Sequence, residues 1–269
     1  MNILFFGDLV GRPARNILKQ VLPDYKKKYK IDLVIANADN LAHGKGVTKN
    51  TVKEMIECGV DVLTCGDHVW DTNQALEMLE EGNHSFICPA NYPILDHRKG
   101  YKIIEVNSRK VLIINLIGRV FLKDHPDCPF RAVDKILEDN AENFDAAIID
   151  LHSEATSEKR AMGFYLSSRV SAVLGTHTHI QTADEEILNG ETAYISDVGM
   201  VGPKDSVLGC KKEFVINQMM TQTKFRYEIS NDENIMINAV VVEINDGSGK
   251  AKSIKRVNEV VRMCSKTAL

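Results

Sequence analysis

Val173-Leu174-Gly175-Thr176-His177-Thr178-His179 is a short apolar run that ends in two histidines one residue apart. In an extended backbone, side chains two residues apart project to the same side, so this spacing predicts that His177 and His179 reach into one small space. Neutral imidazole is a good ligand for a divalent transition metal, and two of them on a short leash make half of a metal site. Taken alone, the pair is a weak signal and suits better two loop histidines bound to backbone carbonyls. The rest of the chain decides between these readings.

Outward from this stretch the same pattern recurs: an apolar run, a polar stop, then a helix. Residues 2–6 form a continuous apolar run that stops at Gly7-Asp8, and Gly11 with Pro13 opens a helix over 14–29. Residues 32–38 form the next strand and stop at Asp39-Asn40, before a loop containing His43-Gly44-Lys45-Gly46 and a helix that Thr48 caps, running through Cys58. A third strand, 60–65, stops at Gly66-Asp67-His68. Asp71 and Gln74 have the spacing of a capping box for a helix ending at Gly82, and 85–88 is a short strand.

Residues 101–106 and 111–117 flank Asn107-Ser108-Arg109-Lys110 and predict an antiparallel hairpin. The segment 119–130, with Pro126 and Pro129, is the longest loop and a candidate substrate-facing flap. A helix over 131–143 precedes a strand, 146–151, that stops at His152; a helix over 157–169 precedes the opening stretch. Asn189-Gly190 is a hairpin turn before a strand, 192–196, that ends at Asp197, and a helix over 211–220 leads into a β-rich tail turning at Asp246-Gly247. This strand-helix alternation predicts an α/β fold with a largely parallel sheet flanked by helices. The expected organisation is a single domain over 1–269 that includes the β-rich tail.

Asp8, Asp39, Asp67, His152, His177 and His179 each follow directly on an apolar strand candidate. Parallel strands of an open α/β sheet end along one edge, where ligand crevices form, so these residues are expected to meet. Left unpaired in a partly dry crevice, three carboxylates and three imidazoles would be strongly destabilising. Divalent cations remove that problem. Six such ligands, with Asn40 adding a carbonyl oxygen, exceed one tetrahedral zinc and suit two ions sharing a bridging carboxylate.

Composition is consistent with an enzyme. A chain of 269 residues, 44% hydrophobic and 26% charged, buries a substantial core, and a net charge of −4 argues against a protein held by the phosphates of long nucleic acid. The dense basic run Lys26-Lys27-Lys28 with Lys30 reads as a solvated helix end, where cations suit the dipole. Six cysteines without a C-x-x-C pair read as reduced, mostly buried thiols. With no leader and no apolar run near a membrane span, the expected compartment is the cytoplasm, without a membrane partner. A homo-oligomer is compatible with all of this.

Gly7-Asp8, Asp39-Asn40, Gly66-Asp67-His68, His152 and Gly175-Thr176-His177-Thr178-His179 together resemble the calcineurin-like metallophosphoesterases. More narrowly, residues 152–159 and 175–184 are similar to the small bacterial branch of 2′,3′-cyclic-nucleotide phosphodiesterases, and the match runs from Met1 to about Gly202. The resemblance implies an α/β sandwich of mostly parallel or mixed sheets flanked by helices, with a binuclear metal centre at C-terminal strand ends. Carried over, Asp8, Asn40 and His179 would hold one ion, Asp67, His152 and His177 the other, with Asp39 bridging and His68 as proton donor. That branch usually has Glu where Asp39 stands and Asn where Asp67 stands.

Rival patterns fit less well. Gln181-Thr182 replace the Asp-His that a metallo-β-lactamase needs after its His-x-His, and the first strand here ends at Asp8 rather than in the His-x-His of an amidohydrolase barrel. Gly44-Lys45-Gly46 is too short for a P-loop and reads as a turn, with substrate contact by His43 and Lys45 a further expectation. His84, His97 and His125 read as surface residues, and Trp70 and Tyr165 as packing. The expected function is hydrolysis of small phosphodiesters, foremost 2′,3′-cyclic nucleotides, by hydroxide bridging two divalent ions, with Mn, Fe, Zn or Co all compatible. Phosphomonoesterase or protein phosphatase activity is the alternative within enzymes. A slow-turnover regulatory protein that binds metal or nucleotide is the alternative outside them.

Overall fold

β1 (Asn2–Leu9) is buried along nearly its whole length, and its side chains alternate between two cores. Leu4 and Phe6 pack with helix residues, whereas Ile3 and Phe5 pack with residues of a second sheet. A strand buried on both faces has no polar side, which is why it reads as an unbroken apolar run.

The chain, described by a computed structural model over residues 1–82, 85–93, 96–224 and 228–264, continues as α1 (Gly11–Tyr29), β2 (Leu33–Asn37), α2 (Lys49–Cys58), β3 (Val62–Thr64) and α3 (Asn73–Glu80). The hairpin β4 (Tyr101–Val106) and β5 (Arg109–Ile117) then precedes α4 (Pro129–Asp139), β6 (Ala146–His152), α5 (Thr156–Leu166) and β7 (Ala172–Thr176). β8 (Glu186–Leu188), β9 (Thr192–Ile195), β10 (Met200–Pro203), α6 (Lys212–Thr221), β11 (Asn234–Ile244) and β12 (Ala251–Arg262) complete it. His84 lies outside the described residues.

The strands form two mixed six-stranded sheets, in the orders β12-β11-β10-β1-β2-β3 and β4-β5-β6-β7-β9-β8. β1, β2 and β3 run parallel in the first, and β5, β6, β7 and β9 in the second. Antiparallel strands lie at both edges of the second sheet and along one side of the first. Phe5, Ile35 and Val62 of the first sheet meet Ile113, Ile148 and Leu174 of the second in the inner core. Ile17, Leu18 and Met55 cover the outer face of the first sheet, and Ile136 and Met162 that of the second. The result is the expected α/β sandwich, with the parallel strands of both sheets delivering their C-terminal ends to one edge.

Several local expectations change. Thr48 caps α2 through a reciprocal pair with Thr51, as expected for the cap. Asp71 and Gln74, however, form no capping box: α3 starts after Thr72 without a side-chain cap, Asp71 turns to His68, and Gln74 accepts a hydrogen bond from the Lys49 amide. The strand expected at 85–88 is reduced to one bridge between Leu63 and Phe86. The loop before α4 is tied back, the Asp127 amide donating to the Asn91 carbonyl and the Arg119 amide to Glu158.

The lysine-rich end of α1 is engaged rather than merely solvated. Lys26 donates to the Gly59 carbonyl and Lys28 pairs with Glu259. Trp70 packs edge-on against Tyr92, and Tyr165, partly exposed, against Phe130. All six cysteines are free, although only Cys65 and Cys88 are buried. No helix among the described residues is long and apolar enough to cross a membrane.

Candidate metal centre

Asp39 and Asn40 open the turn after β2. Asp39 is buried, and its Oδ1 accepts from the Gly66 amide at 2.6 Å and the His68 amide at 3.0 Å. Its Oδ2 lies 3.5 Å from His152 Nε2. Gly66 can stand there only because it lacks a side chain: a Cβ would meet His152 Nε2 at 2.2 Å. Asn40 donates from Nδ2 to the Gly44 carbonyl, which leaves Oδ1 presented 3.0 Å from His179 Nε2.

Asp67 Oδ1, His152 Nε2 and His177 Nδ1 converge from β3, β6 and β7. Asp67 Oδ1 lies 3.1 Å from His152 Nε2 and 3.3 Å from His177 Nδ1, and the two ring nitrogens are 3.1 Å apart. Ligand atoms around a single tetrahedral zinc stand about 3.3 Å apart, given metal–nitrogen bonds near 2.0–2.1 Å. These three groups therefore suit one cation. Asp39, Asp67 and His68 also bring ligand atoms within 4.8 Å of one another.

On the other side, His179 Nε2 is 3.9 Å from Asp8 Oδ1, a fully buried oxygen without a hydrogen-bond partner. Burial raises the Asp8 carboxyl well above its ordinary range, although His152 opposes the shift. A buried carboxylate oxygen with no donor is the environment a cation relieves. The donor set thus fits divalent metal. Burial also lowers His179 to about 4, which leaves its imidazole neutral, the form that binds metal. Burial opposes ionisation of Asp67, but hydrogen bonds from His152 and His177 hold its carboxyl far below the usual range. His152 shows the reverse balance: burial disfavours its charge, yet Asp39, Asp67 and Asp8 raise it above an ordinary imidazole.

The two histidines of the opening stretch do not project side by side as an extended backbone would place them. His177 has φ 102° and His179 φ 63°, so the backbone is bent there rather than extended. Non-glycine residues in such regions cost on the order of 1–3 kcal/mol each and persist only where the surroundings enforce them. Asp8 Oδ2 accepts from the His177 amide and Asp197 Oδ2 from the Thr178 amide, and these two buried carboxylates hold the bend. In consequence His177 faces Asp67 while His179 faces Asn40 and Asp8.

A cleft of about 770 Å³ opens over these groups. His43, Lys45 and His68 line it beside the metal-ligating candidates, and Leu208, Val215, Met219 and Ile229 supply an apolar part. His97 is paired with Asp139 and His125 is exposed, both away from this lining. Glu154, Asp71 and Asp197 were not expected at the site. Glu154 Oε2 lies 3.0 Å from His177 Nε2, and Asp71 Oδ2 3.0 Å from His68 Nδ1. Their signal was weak: Glu154 stands two residues past a strand end, Asp71 in a capping pattern, and Asp197 after a strand without a helix.

The YmdB-like protein family model matches residues 4–257, nearly the whole chain. The chain belongs to the YmdB-like family. Within it, the chain is 40% identical over 257 residues to the 2′,3′-cyclic-nucleotide 2′-phosphodiesterase of Bacillus subtilis, covering 96% of each protein. A crystal structure of a Thermus thermophilus protein superposes with TM-score 0.89 at 35% identity, covering 97% of this chain and 99% of that one. A Mycoplasma pneumoniae protein described as a novel phosphatase superposes with TM-score 0.88 at 33% identity, covering 97% and 93%. Membership of this metallophosphoesterase-like family agrees with the resemblance read from the motifs, and it implies divalent metal at the Asp/His cluster.

Proposed function

We propose that the protein is a metal-dependent phosphodiesterase acting on small phosphodiesters, with 2′,3′-cyclic nucleotides as its substrates. The observation that carries this reading is the convergence of Asp67 Oδ1, His152 Nε2 and His177 Nδ1 within 3.3 Å of one another, beside His68 in an open cleft. The activity named for the Bacillus subtilis relative, at 40% identity over nearly the full length, supports the substrate class. The apolar part of the cleft suits a nucleobase, which presents a large apolar face.

Two divalent ions fit the donor set. Asp8, Asn40 and His179 would hold one, Asp67, His152 and His177 the other, and Asp39 would be shared between them. The unpartnered Asp8 Oδ1 supports a cation on the first side as the Asp67 triad does on the second. Oxygen and nitrogen donors without thiolate suit Mn, Fe or Zn. Divalent ions, when bound, supply a water of lowered pKa and neutralise charge on the phosphoryl group.

The protein's own groups do the rest. His68 stands on the cleft beside Asp67, and Asp71 orients its ring by accepting from Nδ1–H; with a second proton on Nε2, the ring hands that proton to the departing alkoxide. Lys45 and His43 line the cleft where an anionic substrate would enter. Asp39, shorter than the glutamate usual in this branch, serves because the turn after β2 brings its carboxylate within hydrogen-bond reach of the Gly66 and His68 amides. A single domain over 1–269 fits this reading, since β11 pairs directly with β1, the strand that carries Asp8.

Elemental analysis of saturated protein together with hydrolysis of 2′,3′-cyclic nucleotides, a linear diester and a monoester tests the proposal. Two ions per chain with preference for cyclic diesters is the expected result. Preference for monoesters would transfer the protein to the phosphatase reading, and at most one ion after saturation with Mn would sink the binuclear one.

A further inference from the structure

Behind His152, away from the cleft, lies a buried polar chain that none of the expected ligands explains. Asp150 is fully buried on β6 and receives three donors: Thr64 Oγ1 at 2.5 Å, Asn37 Nδ2 at 2.9 Å and Thr176 Oγ1 at 2.8 Å. Thr176 Oγ1 in turn lies 3.0 Å from His152 Nδ1. A hydroxyl has one proton. With that proton given to Asp150, the Thr176 oxygen can only accept from His152, so Nδ1 carries a hydrogen and, in the neutral ring that binds metal, Nε2 is left with its lone pair. His152 Nε2 is the atom that faces Asp67 and His177.

We infer that Asp150, acting through Thr176, is the positioning residue that fixes the His152 ring and its tautomer for metal binding. This rests on the reading that Asp67, His152 and His177 hold a cation. The competing donor is Asn37 Nδ2, 3.4 Å from His152 Nδ1. Its amide is already oriented: Oδ1 accepts from the Asp39 N–H at 2.9 Å, so Nδ2 points to Asp150, its shorter contact. Gly66 packs against the Cδ2–Nε2 edge of the ring, with no room there for a side chain. A carboxylate reaching a ligand imidazole through a hydroxyl orients the ring and raises its basicity, and loss of such a partner costs roughly 10–100-fold in metal affinity.

Asp150 also bridges the sheets, since Asn37 and Thr64 belong to the first and Thr176 to the second. The test must therefore separate positioning from stability. Thr176→Val removes only the hydroxyl and leaves Asp150 its other two donors, while Thr176→Ser restores it. Calorimetric titration with Zn²⁺ and thermal melts of the metal-free proteins are the readouts.

The expected result is that Thr176→Val weakens one binding event by roughly 10–100-fold, leaves any other within about twofold, and melts near wild type without metal, with Thr176→Ser behaving as wild type. Asp150→Asn, which keeps the shape but withdraws the acceptor charge behind Thr176, is expected to show the same loss and serves if the valine variant cannot be purified. Unchanged zinc affinities in Thr176→Val, with wild type binding zinc normally, overturn the inference alone. Equal weakening in the serine variant also overturns it, since the hydroxyl is then not the cause. A wild-type protein that takes up no zinc overturns the inference together with the reading beneath it.

Discussion

His68 Nδ1 and the Asp71 carboxylate stand 3.0 Å apart, three residues along the turn that leaves β3. The pair commits the ring: with Nδ1–H held by Asp71, the free edge of His68 belongs to the cleft, next to Asp67. A histidine so held is equipped to deliver a proton, and the first prediction concerns whether it does.

Removal of a general acid costs roughly 10²–10⁴-fold in turnover when the leaving group is a poor alkoxide. His68→Ala is expected to lose that much on a 2′,3′-cyclic nucleotide and much less on bis(p-nitrophenyl) phosphate, whose leaving group needs no proton. Metal content stays near wild type. Equal losses on both substrates would reject the acid role in favour of charge stabilisation or distortion of Asp67.

Asp39 Oδ2 lies 3.5 Å from His152 Nε2 and its carboxylate is proposed to be shared by both ions, whereas Asn40 meets His179. Asp39→Asn is therefore expected to weaken metal binding and activity more than Asn40→Ala. Isothermal titration of the two variants decides it, and unchanged affinity in the Asp39 variant would remove its bridging assignment.

The buried, unpartnered Asp8 Oδ1 predicts that metal stabilises the fold. A ligand that binds only the native state adds about 2.7 kcal/mol at one hundred times its Kd, so saturating Mn should raise the melting temperature by several degrees. Asp8→Asn should lose much of that rise. A melting temperature indifferent to metal in wild type would contradict the prediction.

Asp184 offers a pH dependence away from the metal ligands. Partial burial opposes its ionisation, but the Ser196 and Thr182 hydroxyls and the Ser196 amide donate to it and hold its carboxyl below the ordinary value. A depressed folded-state pKa contributes stability above the unfolded value, near 3.9, that is lost as pH falls through the folded one. Asp184→Asn should cost about 1 kcal/mol at pH 7, a modest figure because the group is partly exposed, and the gap should close towards pH 3. Denaturant midpoints at pH 7, 5 and 3 measure it; a gap constant with pH would show that the charge is irrelevant.

Phe5 fills the space between the two sheets and is fully buried. Phe5→Ala should destabilise by about 3–5 kcal/mol, from lost transfer energy and the cavity left behind. Chemical denaturation reads this directly, and a cost under about 1 kcal/mol would mean that the sheets close over the gap.

What the sequence by itself determined was the set of strand ends and the chemistry they carry. Apolar runs that stop at Asp8, Asp39, Asp67, His152 and the His177 stretch are local signals, since burial on both faces and the exit from a sheet are written within a few neighbouring residues. The motifs at those stops were enough to name the family and most of the candidate ligands. Tertiary structure alone decided how the two histidines of the opening stretch come to face different partners. His177 and His179 part company because Asp8 and Asp197, distant in the chain or across a turn, bend the backbone between them, and an extended-strand argument cannot foresee a bend enforced from outside. Asp71 looked like a helix cap because capping is a spacing rule, but its carboxylate had a better partner in His68. Asp150, Glu154 and the apolar part of the cleft carried no spacing signal at all: each acquires its role from contacts between elements, and such contacts exist only once the two sheets have packed.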